Sequence, residues 1–328
     1  MGEKIKERNS NIELLRILAM LFIIIHHLIY HNKLSSIHNF NHTSAMVLYS
    51  WAKIGVILFI LISGYFAEDS KFNIKKFINL LLETLFYLFL FLIFENKSLI
   101  NLEYIWSTFK QYYFVTGYLI IYALSPILKV YTKRVNVFAQ MIAVVLLLII
   151  LVAYRRTANI HIIWFGYVYI CGIYTKKYLR RFLKFKALNF IIIIITYVVT
   201  LFRGNGLQLV NGTNLLCAIA ILLLFDSIKI NNSKFINNIS KYTIGVYLIH
   251  DNVFVRTHII KEYLLIKVMY FTNFFEIYLL IISFSIYFTC LGIDLMRAKL
   301  FEKVLFKNNR LNKLYDKINK NYNKLGEA

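Results

Sequence analysis

Long apolar segments recur along the chain, and short polar segments separate them. Most of these apolar segments approach the roughly 20 residues that an α-helix needs to cross the hydrocarbon core of a bilayer. The pattern predicts an all-α, polytopic membrane protein with about ten transmembrane helices. The predicted spans are 12–30, 45–66, 77–94, 112–131, 136–154, 161–175, 187–202, 213–230, 242–256 and 272–296.

The composition supports a membrane protein and argues against nucleic-acid binding. Hydrophobic residues make up 59% of the 328 residues, more than in an ordinary soluble domain. A formal net charge of +22 would suggest nucleic acid, but the cations lie in short loops between apolar spans and in the C-terminal tail. This distribution follows the positive-inside rule. We therefore expect the lipid bilayer as a partner, no nucleic acid, and both termini in the cytoplasm.

The chain divides by composition into a membrane region and a tail. We expect residues 1–296 to form one transmembrane domain. Residues 297–328 are rich in lysine and arginine, with apolar residues recurring between them. This second segment is therefore predicted to be a basic amphipathic cytoplasmic tail that lies on the anionic inner leaflet.

The first predicted span carries ionisable residues, which are costly inside a bilayer and usually functional. Glu13 and Arg16 lie one helical turn apart and can form an ion pair. Arg16 and His27 are eleven positions apart, so they lie within roughly 20° on the helix surface and about 16 Å apart along the axis. One helix face therefore presents a carboxylate, a guanidinium and an imidazole in a line. Alternatively, Glu13 and Arg16 lie at one membrane interface, and the histidines extend to the headgroups at the other.

Polar residues in two later segments are further candidates. Tyr118 lies in the fourth span, where it either lines a polar cavity or belongs to an interfacial belt of tyrosines. Arg155 and Arg156 lie on the expected outer side, against the charge bias. Their forked donors suit an anionic or sugar substrate, and a solvated loop is the alternative.

His250 and Asp251 stand together at the end of the ninth span. A carboxylate near an imidazole can fix its tautomer or raise its basicity. Adjacent residues on a helix do not face each other, so we expect His250 and Asp251 to contact different partners. For His250, the expected partners are the histidines of the first span.

The segment RNSNIELLRILAMLFIIIHHLIYH resembles the first span of the membrane acyltransferase 3 family, in which an arginine is followed by ten residues and a histidine. Arg16 and His27 have this spacing. The resemblance continues in WAKIGVILFILISGYF, YYFVTGYLIIYALSPIL and ISKYTIGVYLIHDNVFVR, and it covers residues 8–296. Phe114 and Val253 depart from the family pattern, since tryptophan or tyrosine and proline are usual at these positions.

The resemblance implies an integral membrane O-acyltransferase of a bacterial cell membrane. Such an enzyme takes an acyl group, usually acetyl, from cytoplasmic acyl-CoA. It transfers this group to a hydroxyl of an extracytoplasmic surface polysaccharide or related, lipid-linked glycan. Acetyl-CoA is thus the expected donor, and no metal is expected because the sequence lacks an H-E-x-x-H pattern and a cysteine cluster. The alternative is a transporter or flippase of lipid-linked sugars, although the single proline does not suggest the broken helices of transporters.

Acyl transfer from a thioester needs a base or an acyl carrier, and a group that stabilises the oxyanion. His27 is the candidate base or carrier, Arg16 the candidate that orients the thioester, and Glu13 the residue that holds Arg16. His250 is a further catalytic candidate. The candidates for substrate binding are Asp251, Arg155, Arg156 and Tyr118, and those for the pyrophosphate of coenzyme A are Lys133 and Arg134.

Overall fold

The structure is a computed structural model that describes residues 9–67, 70–95, 102–155, 160–203, 210–305 and 309–325. Within these ranges the chain folds into helices and loops without a β-strand. In chain order, the α-helices of the described ranges are α1 (Ser10–His31), α2 (His42–Ala52), α3 (Ile54–Ala67), α4 (Ile74–Phe94), α5 (Leu102–Gln111), α6 (Tyr113–Arg134), α7 (Val137–Ala153), α8 (Ile160–Tyr174), α9 (Lys186–Arg203), α10 (Gly212–Asp226), α11 (Lys234–Ile239), α12 (Thr243–His250), α13 (Lys261–Tyr263), α14 (Ile266–Met269), α15 (Phe275–Leu305) and α16 (Asn309–Leu325).

Eight of the ten predicted spans each coincide with one of these helices, whereas 45–66 covers both α2 and α3 and 242–256 extends beyond the end of α12. The all-α, multi-pass character is confirmed. In the described part of the chain, five stretches are long and apolar enough to cross a membrane. They are Ser10–His31, His42–Ala67, Ile74–Phe94, Tyr113–Arg134 and Phe275–Phe301. Three shorter apolar helices are Val137–Ala153, Lys186–Val199 and Gly212–Asp226. Ten crossings and cytoplasmic termini stay predictions.

The first helix is the centre of the bundle. Asn9 caps α1, because its side chain accepts a hydrogen bond from the backbone N–H of Asn11. Ser10 Oγ then donates to the side-chain oxygen of Asn237 at 3.1 Å, which fixes the beginning of α1 beside α11. Further along, α1 packs against α2, α3, α10, α12 and α15. This central position brings its ionisable residues against helices from the last third of the chain.

The second membrane stretch is interrupted at Lys53, which separates α2 from α3. Beyond the interruption, α3 packs closely on α1 at Gly55 and on α8 at Gly64. A Cβ atom at Gly64 would overlap the carbonyl group of Tyr169, and one at Gly55 would overlap the carbonyl oxygen of Ala19. Small residues therefore set the short distances between these helices, as is usual in membrane bundles.

The beginning of α1, the end of α3 and the tail helix α16 lie together at one end of the bundle. Asp226 accepts a hydrogen bond from Tyr65 at 2.7 Å and also meets Asn9 and Arg180. The loop after α3 is held by α16, since Asn323 accepts from the backbone N–H of Phe72 at 2.8 Å. We call this region the basic end, because the lysines and arginines that follow α3, α6 and α8 lie here. The opposite end, which carries His31, is called the histidine end.

Buried charges join α4, α12 and α15. Arg297 pairs with Asp294 at 2.6 Å and with Glu83 of α4 at 3.3 Å, and Tyr87 donates to Asp294 at 2.8 Å. All four side chains are buried. The carboxyl group of Asp294 lies directly over Gly245 of α12. Since α15 continues past residue 296 to Leu305, it links the transmembrane part to the tail; the predicted domain boundary itself stays a prediction.

Candidate active site

Two histidines from distant parts of the chain meet at the histidine end. Nδ1 of His27 lies 3.0 Å from Nε2 of His250. The other ring nitrogen of His250, Nδ1, lies 2.7 Å from the carbonyl oxygen of Val246. A carbonyl oxygen only accepts, so Nδ1 of His250 carries the hydrogen and its Nε2 accepts. Nδ1 of His27 must then donate, which leaves the lone pair of His27 on Nε2.

A carboxylate, a third imidazole and a guanidinium complete this site. Oδ1 of Asp251 lies 3.3 Å from Nδ1 of His27 and 3.1 Å from Nε2 of His31. The guanidinium of Arg256 lies 3.4 Å from the same carboxylate oxygen and 3.0 Å from Nε2 of His31. We call His27, His31, His250, Asp251 and Arg256 the histidine cluster. Asp251 is only 4% exposed, so its charge acts on these neighbours with little screening by water.

The predicted contact between His250 and the first span is confirmed, but the prediction of separate partners for His250 and Asp251 is wrong. Both side chains reach His27. The rule that adjacent residues do not face each other holds within a regular helix. Here α12 ends at His250, and Asp251 follows it outside the helix with φ −90° and ψ 1°. Both side chains therefore point towards the same face of α1.

Arg16 lies towards the basic end of α1 and forms the predicted ion pair. Its Nη1 donates to Oε2 of Glu13 at 2.7 Å, and its guanidinium lies 5.8 Å from the centre of the Phe59 ring. A series of rings continues from there to His27. Their centres are 5.5 Å apart for Phe59 and Phe114, 5.1 Å for Phe114 and Tyr247, and 6.2 Å for Tyr247 and His27. We call these three aromatic residues the aromatic wall.

The family model described as an acyltransferase domain matches residues 9–294. This range covers most of the chain and includes both Arg16 and the whole histidine cluster. The chain belongs to the acyltransferase 3 family. No curated protein and no solved structure matches it. The family resemblance indicated by the spacing of Arg16 and His27 is thus confirmed, and the protein is a membrane acyltransferase.

The remaining predicted site residues of this acyltransferase lie in different places. Tyr118 lies beside the aromatic wall, where its hydroxyl accepts a hydrogen bond from Ser63 at 3.3 Å. Arg155 lines an apolar groove of about 530 Å³ between α7, α8 and α10, to which no residue of the histidine cluster contributes. Arg156 lies outside the described residues. Lys133 and Arg134 are exposed at the end of α6, at the basic end.

The acyltransferase also has three ligand atoms that suit a metal ion by distance. The ring nitrogens of His27 and His31 and a carboxylate oxygen of Asp251 lie within 4.8 Å of one another. Such nitrogen and oxygen donors can bind zinc. However, the guanidinium of Arg256 contacts two of the three groups and already balances the carboxylate. The expectation that no metal is needed stays a prediction, which elemental analysis of the purified protein would test.

Sequence reasoning did not include His31, Arg256 or Tyr112 in the site. Tyr112 holds the segment after α12, because its hydroxyl donates to the carbonyl oxygen of Leu248 at 3.0 Å and accepts from Asn252 at 2.7 Å. This segment carries Asp251, so Tyr112 fixes the position of the carboxylate. The sequence signal for His31 was its closeness to His27, and that for Arg256 was its closeness to the triplet of His250, Asp251 and Asn252. The signal for Tyr112 was the group of tyrosines at the beginning of the fourth span.

Proposed function

We propose that this acyltransferase transfers an acyl group, usually acetyl, from cytoplasmic acyl-CoA to a hydroxyl of an extracytoplasmic glycan. The observation that carries the proposal is the contact of His27 with both His250 and Asp251. These two neighbours occupy Nδ1 of His27 and direct its lone pair to Nε2. For Nε2 the structure gives no hydrogen-bond partner among the described residues, so this atom is available to a substrate.

The chemistry follows from this arrangement. Nε2 of His27 takes the proton from the acceptor hydroxyl as the oxygen attacks the thioester carbonyl. The carboxylate of Asp251 stabilises the imidazolium that forms. When the carbon–sulfur bond breaks, the proton passes from His27 to the departing thiolate, and the ester and free coenzyme A result. In the alternative route, Nε2 itself attacks the thioester carbonyl, the carbon–sulfur bond breaks, and coenzyme A leaves as the thiolate. The acceptor hydroxyl then takes the acyl group from Nε2, the nitrogen–acyl bond breaks, and the hydroxyl proton passes to the thiolate. Both routes depend on the same nitrogen.

The aromatic wall and Arg16 support entry of the donor from the basic end. By the positive-inside rule, the basic end faces the cytoplasm, where acyl-CoA is made. The thioester then reaches His27 along Phe59, Phe114 and Tyr247, while Arg16 orients the pantetheine arm or the thioester. Lys133 and Arg134 are proposed contacts for the pyrophosphate, because they lie exposed at this end.

The acceptor is proposed to approach the histidine end from outside a bacterial cell membrane. Asp251 lies there and Tyr118 deeper beside the wall, while Arg155 and Arg156 belong to the region after α7. The groove that Arg155 lines is largely apolar. A hydrocarbon chain suits such a lining, and the guanidinium suits a phosphate. This supports a surface polysaccharide that is still linked to a lipid as the acceptor.

The test is ester formation by the purified protein in lipid nanodiscs. Radiolabelled acetyl-CoA and surface polysaccharide from the source cells are supplied, and label released by mild base is counted. We expect His27→Ala to abolish transfer and His258→Ala to leave it unchanged, because His258 is an exposed histidine that pairs with the exposed Glu262. Full activity of His27→Ala would falsify the mechanism. If the protein moves a lipid-linked sugar across the bilayer without forming an ester, the alternative function as a flippase would be favoured.

A further inference from the structure

A lysine lies in the interior of the second membrane stretch. Lys53 interrupts the stretch His42–Ala67 between α2 and α3. Its ammonium group lies 5.7 Å from the centre of the Tyr49 ring. In the part of the chain that the structure describes, no carboxylate pairs with it. A charged group inside a membrane segment is costly and is usually paired or functional. An anion that pairs with Lys53 would therefore have to come from outside the described chain.

Three parallel rings stand beside Lys53. His26 and Tyr49 stack with ring centres 4.5 Å apart and planes 4° apart, and Tyr30 lies parallel to both within 7°. We call these residues the ring platform. Tyr30 is 55% exposed while Tyr49 is buried, so the platform leads from the surface into the bundle. Nδ1 of His26 is buried and has no hydrogen-bond partner in the part of the chain that the structure describes.

The ring platform borders the histidine cluster. The centre of the His26 ring lies 5.7 Å from that of His27, and the centre of the Tyr30 ring lies 5.1 Å from that of His31. Nδ1 of His161 also has no hydrogen-bond partner among the described residues, and the His161 ring lies 5.4 Å from that of Tyr113. A substrate group on the platform would therefore lie next to the histidines of the cluster.

We propose that Lys53 and the ring platform bind a carboxylate-bearing part of the substrate while the reacting atoms lie at His27. This inference rests on the proposed function, since it assigns substrate chemistry to the same centre. An ammonium group binds a carboxylate through charge-assisted hydrogen bonds, and Nδ1 of His26 offers a further polar contact. Flat aromatic rings give the apolar face of a sugar or an acyl chain a surface to pack on.

The carboxylate has two sources to distinguish, and in both it would lie on the ring platform, whose His26 ring is 5.7 Å from the His27 ring. It is either a uronic acid in the acceptor glycan or the distal carboxylate of a dicarboxylic acyl group such as succinyl. The phosphates of coenzyme A do not fit, because the pantetheine arm separates them from the thioester that reacts at His27. The ligand chemistry is therefore a carboxylate, and the donor and acceptor can be varied separately to find which substrate carries it.

The experiment combines two donors with two acceptors on the full-length protein in nanodiscs. The donors are acetyl-CoA and succinyl-CoA, and the acceptors are methyl glucoside and methyl glucuronide. Rates are compared for wild type, Lys53→Met, Lys53→Arg and the control Lys186→Met, which removes an exposed lysine at the beginning of α9. Binding of succinate and of methyl glucuronide is measured separately by thermal shift, so that a readout exists without turnover.

We expect wild type to prefer one carboxylated probe over its neutral counterpart by about tenfold or more in kcat/KM, as one charge-assisted contact gives. Lys53→Met should abolish this preference and the matching thermal shift, without changing the rate of the neutral pair. Lys53→Arg should keep part of it, and Lys186→Met all of it. A preference for succinyl-CoA assigns the carboxylate to the acyl group, and one for the glucuronide assigns it to the acceptor.

Two results would overturn the inference. One is an equal loss of rate in Lys53→Met with all four substrate pairs, which would show a structural role. The other is thermal shifts that are the same in wild type and Lys53→Met for both anions. Failure of the proposed function looks different, because no ester would then form with any pair and His27→Ala would match wild type, whatever Lys53 binds.

Discussion

Nδ1 of His27 and Nε2 of His250 lie 3.0 Å apart, although 223 positions of the chain separate them. Because the backbone of α12 fixes the hydrogen on the other nitrogen of His250, this single contact decides which nitrogen of His27 can act as a base. The orientation of the imidazole proposed to act in catalysis therefore depends on how α12 packs against α1. The predictions below examine this packing and the groups around it.

Asp251→Asn should lower kcat by roughly 10²- to 10⁴-fold. The amide keeps the size of the carboxylate but removes the charge that stabilises the imidazolium of His27. Its N–H group can also favour the wrong tautomer of His27. Steady-state kinetics with acetyl-CoA measure the effect, with the exposed Asp316→Asn as the control. A kcat equal to that of wild type would mean that Asp251 plays no part in the proton transfer.

Arg16→Lys should lose most of the activity despite its conserved charge. Arginine offers a planar fork that holds Glu13 at 2.7 Å and can still donate to a ligand, whereas lysine presents a single point charge. We expect a loss of at least about tenfold in kcat/KM. Arg181→Lys, at an exposed arginine near the basic end, serves as the control. If Arg16→Lys keeps the wild-type rate, Arg16 is only an interfacial anchor.

Gly64→Ala should destabilise the protein, while Gly292→Ala should not. A Cβ atom at Gly64 would overlap the backbone of Tyr169, which cannot move aside as a flexible side chain can. Such overpacking costs roughly 1–3 kcal/mol. At Gly292, no atom lies within 4 Å of a new Cβ atom, so alanine there only improves helix propensity. Melting temperatures in detergent measure both variants, and equal values would contradict the close packing of α3 on α8.

Cysteine labelling tests which end of the bundle faces the cytoplasm. Ser36 lies exposed just beyond α1, and Lys133 lies exposed at the end of α6. We expect Ser36→Cys to react with an impermeant thiol reagent on intact cells and Lys133→Cys to react only after the cells are opened. The native cysteines Cys171, Cys217 and Cys290 are buried, so they give little background. External labelling of Lys133→Cys would invert the topology and favour a cytoplasmic acceptor.

Local features of the fold followed from the sequence. The first span predicted at 12–30 is the helix Ser10–His31, because the apolar run and its polar flanks determine the helix directly. The ion pair of Glu13 with Arg16 followed from a separation of one helical turn. The interruption at Lys53 did not, since the apolar pattern continues on both sides of this residue. A break inside a membrane stretch depends on the helices that pack around it.

The non-local part of the site was only partly predictable. The approach of His250 to the first span was expected, because both segments end at the same depth. The contacts of Arg256 with His31 and Asp251 were not, since helical spacing does not determine which helices become neighbours. For Arg155, the sequence suggested the residue as a candidate for substrate binding but not its surroundings. Only the structure shows the groove that it lines.

The contacts of α1 with the last third of the chain also determine when the active site can form. α1 is synthesised long before these helices, because the polar partners of Asn9, Ser10 and His27 lie 217, 227 and 223 positions later. A nascent chain that ends before α12 can insert its earlier helices and still lack a catalytic centre. We therefore expect a chain that ends before α12 to be inactive, because His27 lacks His250 and Asp251 until that part of the chain has been made.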